Sequence, residues 1–466
     1  MYHENSEFAE VKNKCGGTCK VVVGGAWGDE GKGKIASKFA ENADLVIRGN
    51  GGANAGHSVK HNGISIGLHL IPGGIIYPHT TCLLGQGMVI DPECLLNEIK
   101  KLENAGVKNV RERIRISYNV SLVFPYHKDL DELYESFKKN PIGTTKRGIG
   151  PTYADKAYRS GLRLIDLLRP RNEVKDLLET ALKPTNALFS MNGQENKMIV
   201  RDFDKLLTDY MWYAKELEPM MEKYPNEVVH AYYAEGKNIV IEGAQAYKLD
   251  HNDPDYPNNT SSGCVTSALL EGAHVTHNMV TEVVVVLKAH FSRVGNGPFI
   301  TELPGHIQND QVISYPDDEA YYGDVIRELA HEYGVSTGRP RRTGWFDTVI
   351  AAGARINMDA DYLCINHLDT LGLIGKKLGG IKICVGYNYQ GGFVTKYPTD
   401  MVITKETPVP VYQVLEGGWE ISSDLRSYDE LPEKAKQFID IVEDCAKVPV
   451  KYIGIGPHNE DLIVRG

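Results

Sequence analysis

A short apolar run, Lys20-Val21-Val22-Val23, breaks at once into Gly24-Gly25-Ala26-Trp27-Gly28-Asp29-Glu30-Gly31-Lys32-Gly33-Lys34. Glycines at this density let backbone amides converge on a phosphate, a following helix adds its positive end, and two lysines add charge. A helical segment over 34–42 and a second strand over 45–48 complete the strand–turn–helix–strand opening of a parallel α/β sheet. The loop is not a Walker A motif. Ala26 stands where that pattern needs its first glycine, and Gly33 where it needs Ser or Thr. Asp29 and Glu30 are unusual in a phosphate cradle, because an acid there repels phosphate unless it holds Mg2+ or takes a proton.

Further apolar runs at 238–241, 282–287, 362–365, 381–387 and 450–453 are short and do not alternate, which suits strands buried on both faces. The stretch 165–235 is the most helical. Residues 205–223 carry Leu, Met and Tyr at helical spacing, and Tyr210, Trp212 and Tyr213 read as packing residues. Residues 190–197 read as a surface loop. No repeat or polar linker divides the chain, so residues 19–466 are expected to form a single domain behind a solvated or disordered leader, 1–18.

Composition narrows the partners. The 51 Lys+Arg against 61 Asp+Glu leave a net charge of -10, a poor field for sequence-independent nucleic-acid binding. The longest apolar runs, such as 283–287, fall far short of the roughly 20 residues a bilayer span needs, and the mixed-charge N-terminus lacks the apolar core of a signal peptide. The eight cysteines are scattered and read as reduced structural residues. The expectation is a cytoplasmic protein with no nucleic-acid or membrane partner.

Four more stretches can carry chemistry. Asn50-Gly51-Gly52-Ala53-Asn54-Ala55-Gly56-His57-Ser58 follows the second strand, at the sheet edge where open α/β folds bind ligands. His57 there can donate to a developing oxyanion or phosphoryl oxygen. Gly143-Thr144-Thr145-Lys146-Arg147-Gly148-Ile149-Gly150-Pro151 joins hydroxyls, cations and glycines in an anion-receptive loop. Ser336-Thr337-Gly338-Arg339-Pro340-Arg341-Arg342 can fork onto carboxylates or phosphates. Asn366-His367-Leu368-Asp369 is similar to the NKxD element, whose carboxylate accepts the N1–H and amine of guanine, and Gly454-Ile455-Gly456-Pro457 can close over the base.

The stretches WGDEGKGK, NGGANAGHS, GTTKRGIGPTYADKA, RVGNGPFITEL, STGRPRRTGW and GIGP, in this order, resemble the adenylosuccinate synthetase family from about Val21 to the C-terminus. The resemblance implies an α/β fold with a large, mostly parallel central sheet flanked by helices, P-loop-NTPase-like, with helical insertions and a small antiparallel element. It implies a homodimeric ligase that joins IMP to L-aspartate with GTP and Mg2+, giving adenylosuccinate, GDP and phosphate through a 6-phosphoryl-IMP intermediate. Asp29 would be the base on N1 of IMP and a Mg2+ ligand, His57 the donor to the transferring phosphoryl group, and the Gly56 carbonyl a further metal ligand.

The remaining roles carry over position by position. GTP would meet Gly28, Asp29, Glu30, Gly31, Lys32, Gly33, Lys34, Gly56, His57, Ser58 and Arg341, and on the guanine side His367, Leu368, Asp369, Gly454, Ile455 and Gly456. IMP would meet Asp29, Lys32, Asn54, Ala55, Gly56, His57, Thr145, Gln245, Thr260 and Arg339, with Arg159 supplied by the neighbouring subunit. The aspartate carboxylates would meet Val335, Ser336, Thr337, Gly338, Arg339 and Arg341.

The chain departs from the family pattern at a few places. Ala26 replaces Gln, Ser37 replaces Asp, and Asn366-His367 stand where Thr-Lys is usual. The loop after Gln245 is rebuilt over 247–263, with three acids and asparagines entering it. That loop motivates an alternative, the same chemistry on a 2-amino purine nucleotide such as dGMP. A non-catalytic nucleotide-binding regulator is the second alternative, opposed by the intact Asp29 and His57.

Overall fold

The structure, a computed structural model, describes residues 16–61, 64–193, 202–305, 307–308, 311–312, 321–334 and 338–465. Its centre is a ten-stranded sheet. In chain order the strands are β1 (Cys19–Gly24), β2 (Leu45–Arg48), β3 (Thr81–Leu84), β4 (Ile114–Ser117), β5 (Met221–Glu222), β6 (Ile239–Glu242), β7 (Glu282–Lys288), β8 (Tyr362–Asn366), β9 (Val450–Gly454) and β10 (Leu462–Val464). They lie in the order β10-β9-β8-β7-β1-β6-β2-β3-β4-β5, every pairing parallel except β9 with β10. Helices flank the sheet, so the fold is α/β as expected.

Both faces of the sheet are buried, which is why its strands read as unbroken apolar runs. Val22, Val46, Val240, Val284 and Val286 pack into the core on one face. Their neighbours Val21, Val23, Ile47, Ile241 and Val285 pack on the other. From β1 the chain winds outward through β2 to β5, returns to β6, and then builds β7 to β10 on the opposite side. β1 and β6 therefore border the switch point, where loops at the carboxyl ends diverge and leave a crevice.

The strand expected over 381–387 forms, but outside this sheet. It belongs to Gly380–Tyr389, which pairs antiparallel with Gly392–Val394 and Val409–Glu416 and makes the small antiparallel element. The central sheet instead gains β3, β4, β5 and β10, each of two to four residues and too short to stand out in the sequence. The middle helices are Arg171–Met191, Phe203–Leu217 and Pro225–Ala234. The second ends earlier than its spacing suggested, since Pro219 follows and cannot donate to the helix ladder. On it Tyr210 stacks on Phe124 at 4.1 Å, whereas Trp212 is about half exposed. Ser190 and Met191 lie in the first of these helices rather than in a loop, and 194–197 fall outside the described residues. Among the described residues no helix is long and apolar enough to cross a membrane.

Candidate active site

Three residues of the glycine-rich loop take left-handed backbone: Gly28 (φ 90°), Asp29 (φ 61°) and Gly31 (φ 83°). They turn the chain sharply between β1 and the helix Lys32–Ala40. For Asp29, which has a Cβ, this conformation costs on the order of 1 kcal/mol. It also separates the two acids. The Asp29 side chain is 38% exposed on a cavity of about 660 Å³, while Glu30 is 1% exposed and folded beneath the loop.

Glu30 Oε1 accepts from the amides of Ala26 (3.2 Å) and Gly28 (2.7 Å), and its Oε2 accepts from Lys32 Nζ (2.7 Å). The charge that looked unfavourable beside a phosphate is neutralised inside the loop. Lys34 Nζ donates to the carbonyls of Gly456 (2.7 Å) and Asp461 (2.9 Å), tying the loop's helix to the C-terminal segment. Burial lowers the Lys34 ammonium below its usual range. Asn366 Nδ2 donates to the Glu30 carbonyl at 2.8 Å, and a Cβ on Gly454 would fall 2.2 Å from Asn366 Oδ1, so only glycine admits this packing.

His57 lines the cavity against Gly33, at the start of the hairpin His57–His61 with Ile64–Leu68. Its Nδ1 is hydrogen-bonded to Glu242 Oε1. A carboxylate only accepts, so Nδ1 carries a proton and Nε2 is the nitrogen left for a ligand. Glu242 is fully buried at the carboxyl end of β6, beside Arg48 of β2 in register, and its Oε2 accepts from the Gly73 amide at 2.8 Å. Burial would raise this carboxyl, but the His57 ring and the Arg48 guanidinium more than offset it and hold it below the usual carboxylate range.

Asn54, Thr145, Gln245 and Thr260 line the same cavity with Asp29, Lys32, Ala55, Gly56 and Arg341. Gln245 is also left-handed (φ 58°). Asn50 clamps its surroundings: Nδ2 donates to Ala244 O (3.1 Å) and Gly263 O (2.8 Å), and Oδ1 accepts from the Ala244 amide (2.9 Å). The 143–148 loop hangs from two acids of the helix Pro125–Phe137. Asp131 accepts from the Thr144 hydroxyl (2.9 Å) and the Gly148 amide (3.0 Å), and Glu135 accepts from the Gly143 amide (2.5 Å), leaving Thr145 exposed on the cavity.

The acids of the rebuilt loop turn away from this cavity. Asp250 accepts from the amides of Cys264 (2.6 Å) and Val265 (3.2 Å). Asp253 pairs with fully buried Lys248 (2.7 Å), and Asp255 joins Arg293 Nη1 (3.0 Å) and the Tyr397 hydroxyl (2.7 Å). Asn258, Asn259 and Thr260 remain on the lining.

Arg341 joins the cavity to a buried charge cluster. Its Nε lies 2.9 Å from Asp29 Oδ2 and its Nη1 donates to Glu332 Oε2 at 2.8 Å. Glu332 Oε1 also meets Lys288 Nζ (2.5 Å) and His290 Nε2 (2.7 Å). Burial would raise Glu332, yet these cationic and hydrogen-bonding neighbours hold it well below the usual range.

The residues expected on the guanine side gather beyond Lys34, off the 660 Å³ cavity. His367 is left-handed (φ 64°) at the start of the helix Leu368–Leu378, its ring 5.4 Å from that of His290. Burial, then the neighbouring His290 and Lys288, push its pKa down to about 3, so it is neutral near pH 7. Leu368 is fully buried and Ile455 nearly so, while burial raises the half-buried Asp369 carboxyl. Arg159 does not reach the first cavity; it lines a second, of about 1160 Å³, with Lys156, Arg163 and His251. Gly338 and Arg339 are exposed. Val335, Ser336 and Thr337 lie outside the described residues, as does the Ser58 side chain.

Sequence reasoning did not single out Glu242, Glu332 or Asn50 as site residues. An acid closing the apolar run Ile239-Val240-Ile241 was the one available signal for Glu242. The partners themselves lie 185 residues apart for His57 with Glu242 and 194 for Asn50 with Ala244.

Fold and site define an α/β class that holds nucleoside phosphates on a glycine-rich loop at the switch point of a parallel sheet. The family model of adenylosuccinate synthetase matches residues 21–463, and the chain belongs to that family. The adenylosuccinate synthetase of Acetivibrio thermocellus is 42% identical over 447 residues, covering 96% of this chain and 99% of its own. That of Clostridium novyi is 38% identical over 448 residues, with 96% and 99% covered. Fully ligated adenylosuccinate synthetase from Plasmodium falciparum superposes with a TM-score of 0.83 at 32% identity, over 97% of this chain and 100% of that one. Cyanophage S-2L succinoaminodeoxyadenylate synthetase, bound to dGMP and dATP, superposes with a TM-score of 0.57 at 17% identity over 96% and 95%, a likeness of fold alone.

Proposed function

We propose that this chain joins IMP to L-aspartate with GTP, releasing adenylosuccinate, GDP and phosphate. Asp29 takes the N1 proton of IMP, which leaves the electron pair on O6. O6 attacks the γ-phosphorus while the bond to the β–γ bridging oxygen breaks, and GDP departs. The aspartate amine then adds at C6 and expels phosphate. His57, carrying a proton on each ring nitrogen, donates from Nε2 to the transferring phosphoryl oxygens while its Nδ1 donates to Glu242.

The observation that carries this reading is the pairing of Asp29 with His57 on one cavity, next to a phosphate loop whose other acid is already neutralised. Asp29 and the Gly56 carbonyl, both on that cavity, offer the hard oxygen donors Mg2+ takes, and they would hold it there. Bound Mg2+ would neutralise charge on the β- and γ-phosphates. Asp369, made more basic by burial, suits the paired N1–H and amine of guanine. Arg159 lines a cavity other than its own chain's Asp29 site, which supports a homodimer in which each subunit completes the other's nucleotide site.

The dGMP alternative drew on the rebuilt loop, and the inward turn of Asp250, Asp253 and Asp255 weakens it. The test is phosphate release and product analysis with aspartate and Mg2+, comparing IMP with dGMP and GTP with ATP. Adenylosuccinate from IMP and GTP alone is expected. Turnover of dGMP instead would mean that the loop serves a 2-amino purine, and turnover of neither would overturn the assignment.

A further inference from the structure

We propose that Glu332 is a positioning residue for the reaction: it anchors Arg341 so that the guanidinium forms a removable cap on Asp29. The inference rests on the reading of Asp29 as the base. Arg341 is held on both sides, by a fully buried carboxylate on one and by a cavity-facing carboxylate on the other. Its Nη1 donates to Glu332 Oε2 at 2.8 Å, its amide donates to the Glu332 carbonyl at 2.9 Å, and its own carbonyl accepts from Arg327 Nε at 2.7 Å. Residues 332–334 and 339–341 form the neck of a loop here, with a Tyr333–Pro340 bridge and a Gly334-to-Arg339 hydrogen bond. Toward Asp29 the contact is an ion pair, Nε to Oδ2 at 2.9 Å.

Glu332 cannot follow a moving Arg341. It is 1% exposed, and Lys288 and His290 hold its second oxygen. Asp29, by contrast, is 38% exposed on the cavity, so the Arg341–Asp29 arm is the one that gives. The guanidinium sits on Asp29 Oδ2, so it must move aside before that oxygen can take a proton. An anion entering the cavity, a terminal phosphoryl group or a dicarboxylate, competes for the same guanidinium and uncovers Asp29 when it binds. Glu332 keeps the displaced arginine within reach of that anion. With neutral His290 the cluster balances: Lys288 and Arg341 against Glu332 and Asp29. Removing the Glu332 charge leaves Asp29 as the only anion for two cations, and the cap tightens.

The experiment compares Glu332→Gln and Glu332→Asp with the wild-type chain. It measures kcat, the KM of each substrate, thermal unfolding, and exchange of the β–γ bridging oxygen of isotopically labelled GTP with IMP present and aspartate absent, which isolates the first chemical step. Glu332→Gln is expected to lower kcat and isotope exchange at least tenfold with the KM of IMP unchanged within twofold, and Glu332→Asp to recover part of the loss. Wild-type kcat in Glu332→Gln, or a loss expressed only as a parallel rise of all three KM values, overturns the inference. Lys288→Met/Glu332→Gln removes one cation with the anion; it covers the case of a single variant that does not fold, and wild-type kcat there overturns the inference equally. Wild-type protein that makes no adenylosuccinate would overturn the proposed function itself, a result distinct from an active wild type with an unaffected Glu332→Gln.

Discussion

Glu242→Gln probes how the fold orients His57. Glu242 is fully buried behind the ring and is not on the lining of the 660 Å³ cavity, and the amide keeps its size and can still accept from the Gly73 amide. What is lost is the charge that holds His57 Nδ1. A hydrogen bond to a charged group contributes about 1.5–3 kcal/mol, which at about 1.4 kcal/mol per tenfold predicts a kcat lowered roughly 10- to 150-fold. The KM values of IMP and GTP should stay within about twofold, because no cavity-facing atom is altered. Stability falls too. Arg48 is fully buried with one hydrogen bond, from Nη1 to the His69 carbonyl at 2.6 Å, and it loses its in-register counter-charge. A buried charge left without a nearby counter-charge is destabilising, so rates must be read well below the variant's unfolding midpoint. The assay is adenylosuccinate formation at saturating substrates beside a thermal melt. A folded Glu242→Gln protein with kcat within about twofold of wild type would refute the claim that this carboxylate aligns the histidine.

Asp29→Asn should lower turnover by roughly 10²- to 10⁴-fold while GTP binding stays measurable by calorimetry, and retained turnover would sink its role as base. Mixing an Arg159→Leu chain with an Asp29→Asn chain should restore activity if subunits complete each other's sites; no recovery in isolated heterodimers would refute shared sites. Burial lowers the His274 pKa to about 4, against an ordinary value of 6.5. Its contribution is therefore intact above about pH 6.5 and lost as pH falls toward 4, by up to about 3 kcal/mol, because the unfolded chain takes up the proton first. His274→Gln should flatten the unfolding midpoint over that window, and an unchanged slope would refute the assignment.

The elements legible in the sequence were those whose physics is local. Lys20-Val21-Val22-Val23 followed by glycines can do little but end a buried strand in a tight turn, and β1, β2, β6, β7, β8 and β9 each announce themselves as short β-branched or apolar runs. The edge strands β5 and β10 did not, because two or three residues make no pattern until a neighbour supplies the hydrogen bonds. The run over 381–387 was visible as a strand but not its sheet, since partner choice depends on segments far along the chain. Trp212 shows the limit of spacing: on one helix, Tyr210 meets Phe124 while Trp212 faces solvent.

By itself the sequence marked candidates for holding phosphate and for moving a proton, because a glycine-rich turn, an acid and a histidine suit that chemistry wherever the chain puts them. Tertiary structure decided what those groups are worth. Parallel register set Glu242 beside Arg48 and behind His57, left-handed backbone turned Asp29 outward while Glu30 folded in, and the loop neck formed by 332–334 and 339–341 brought Arg341 onto Asp29. The physical reason is burial. A charge removed from water must find a partner, and only the packed fold determines which residue, however distant in sequence, stands close enough to be one.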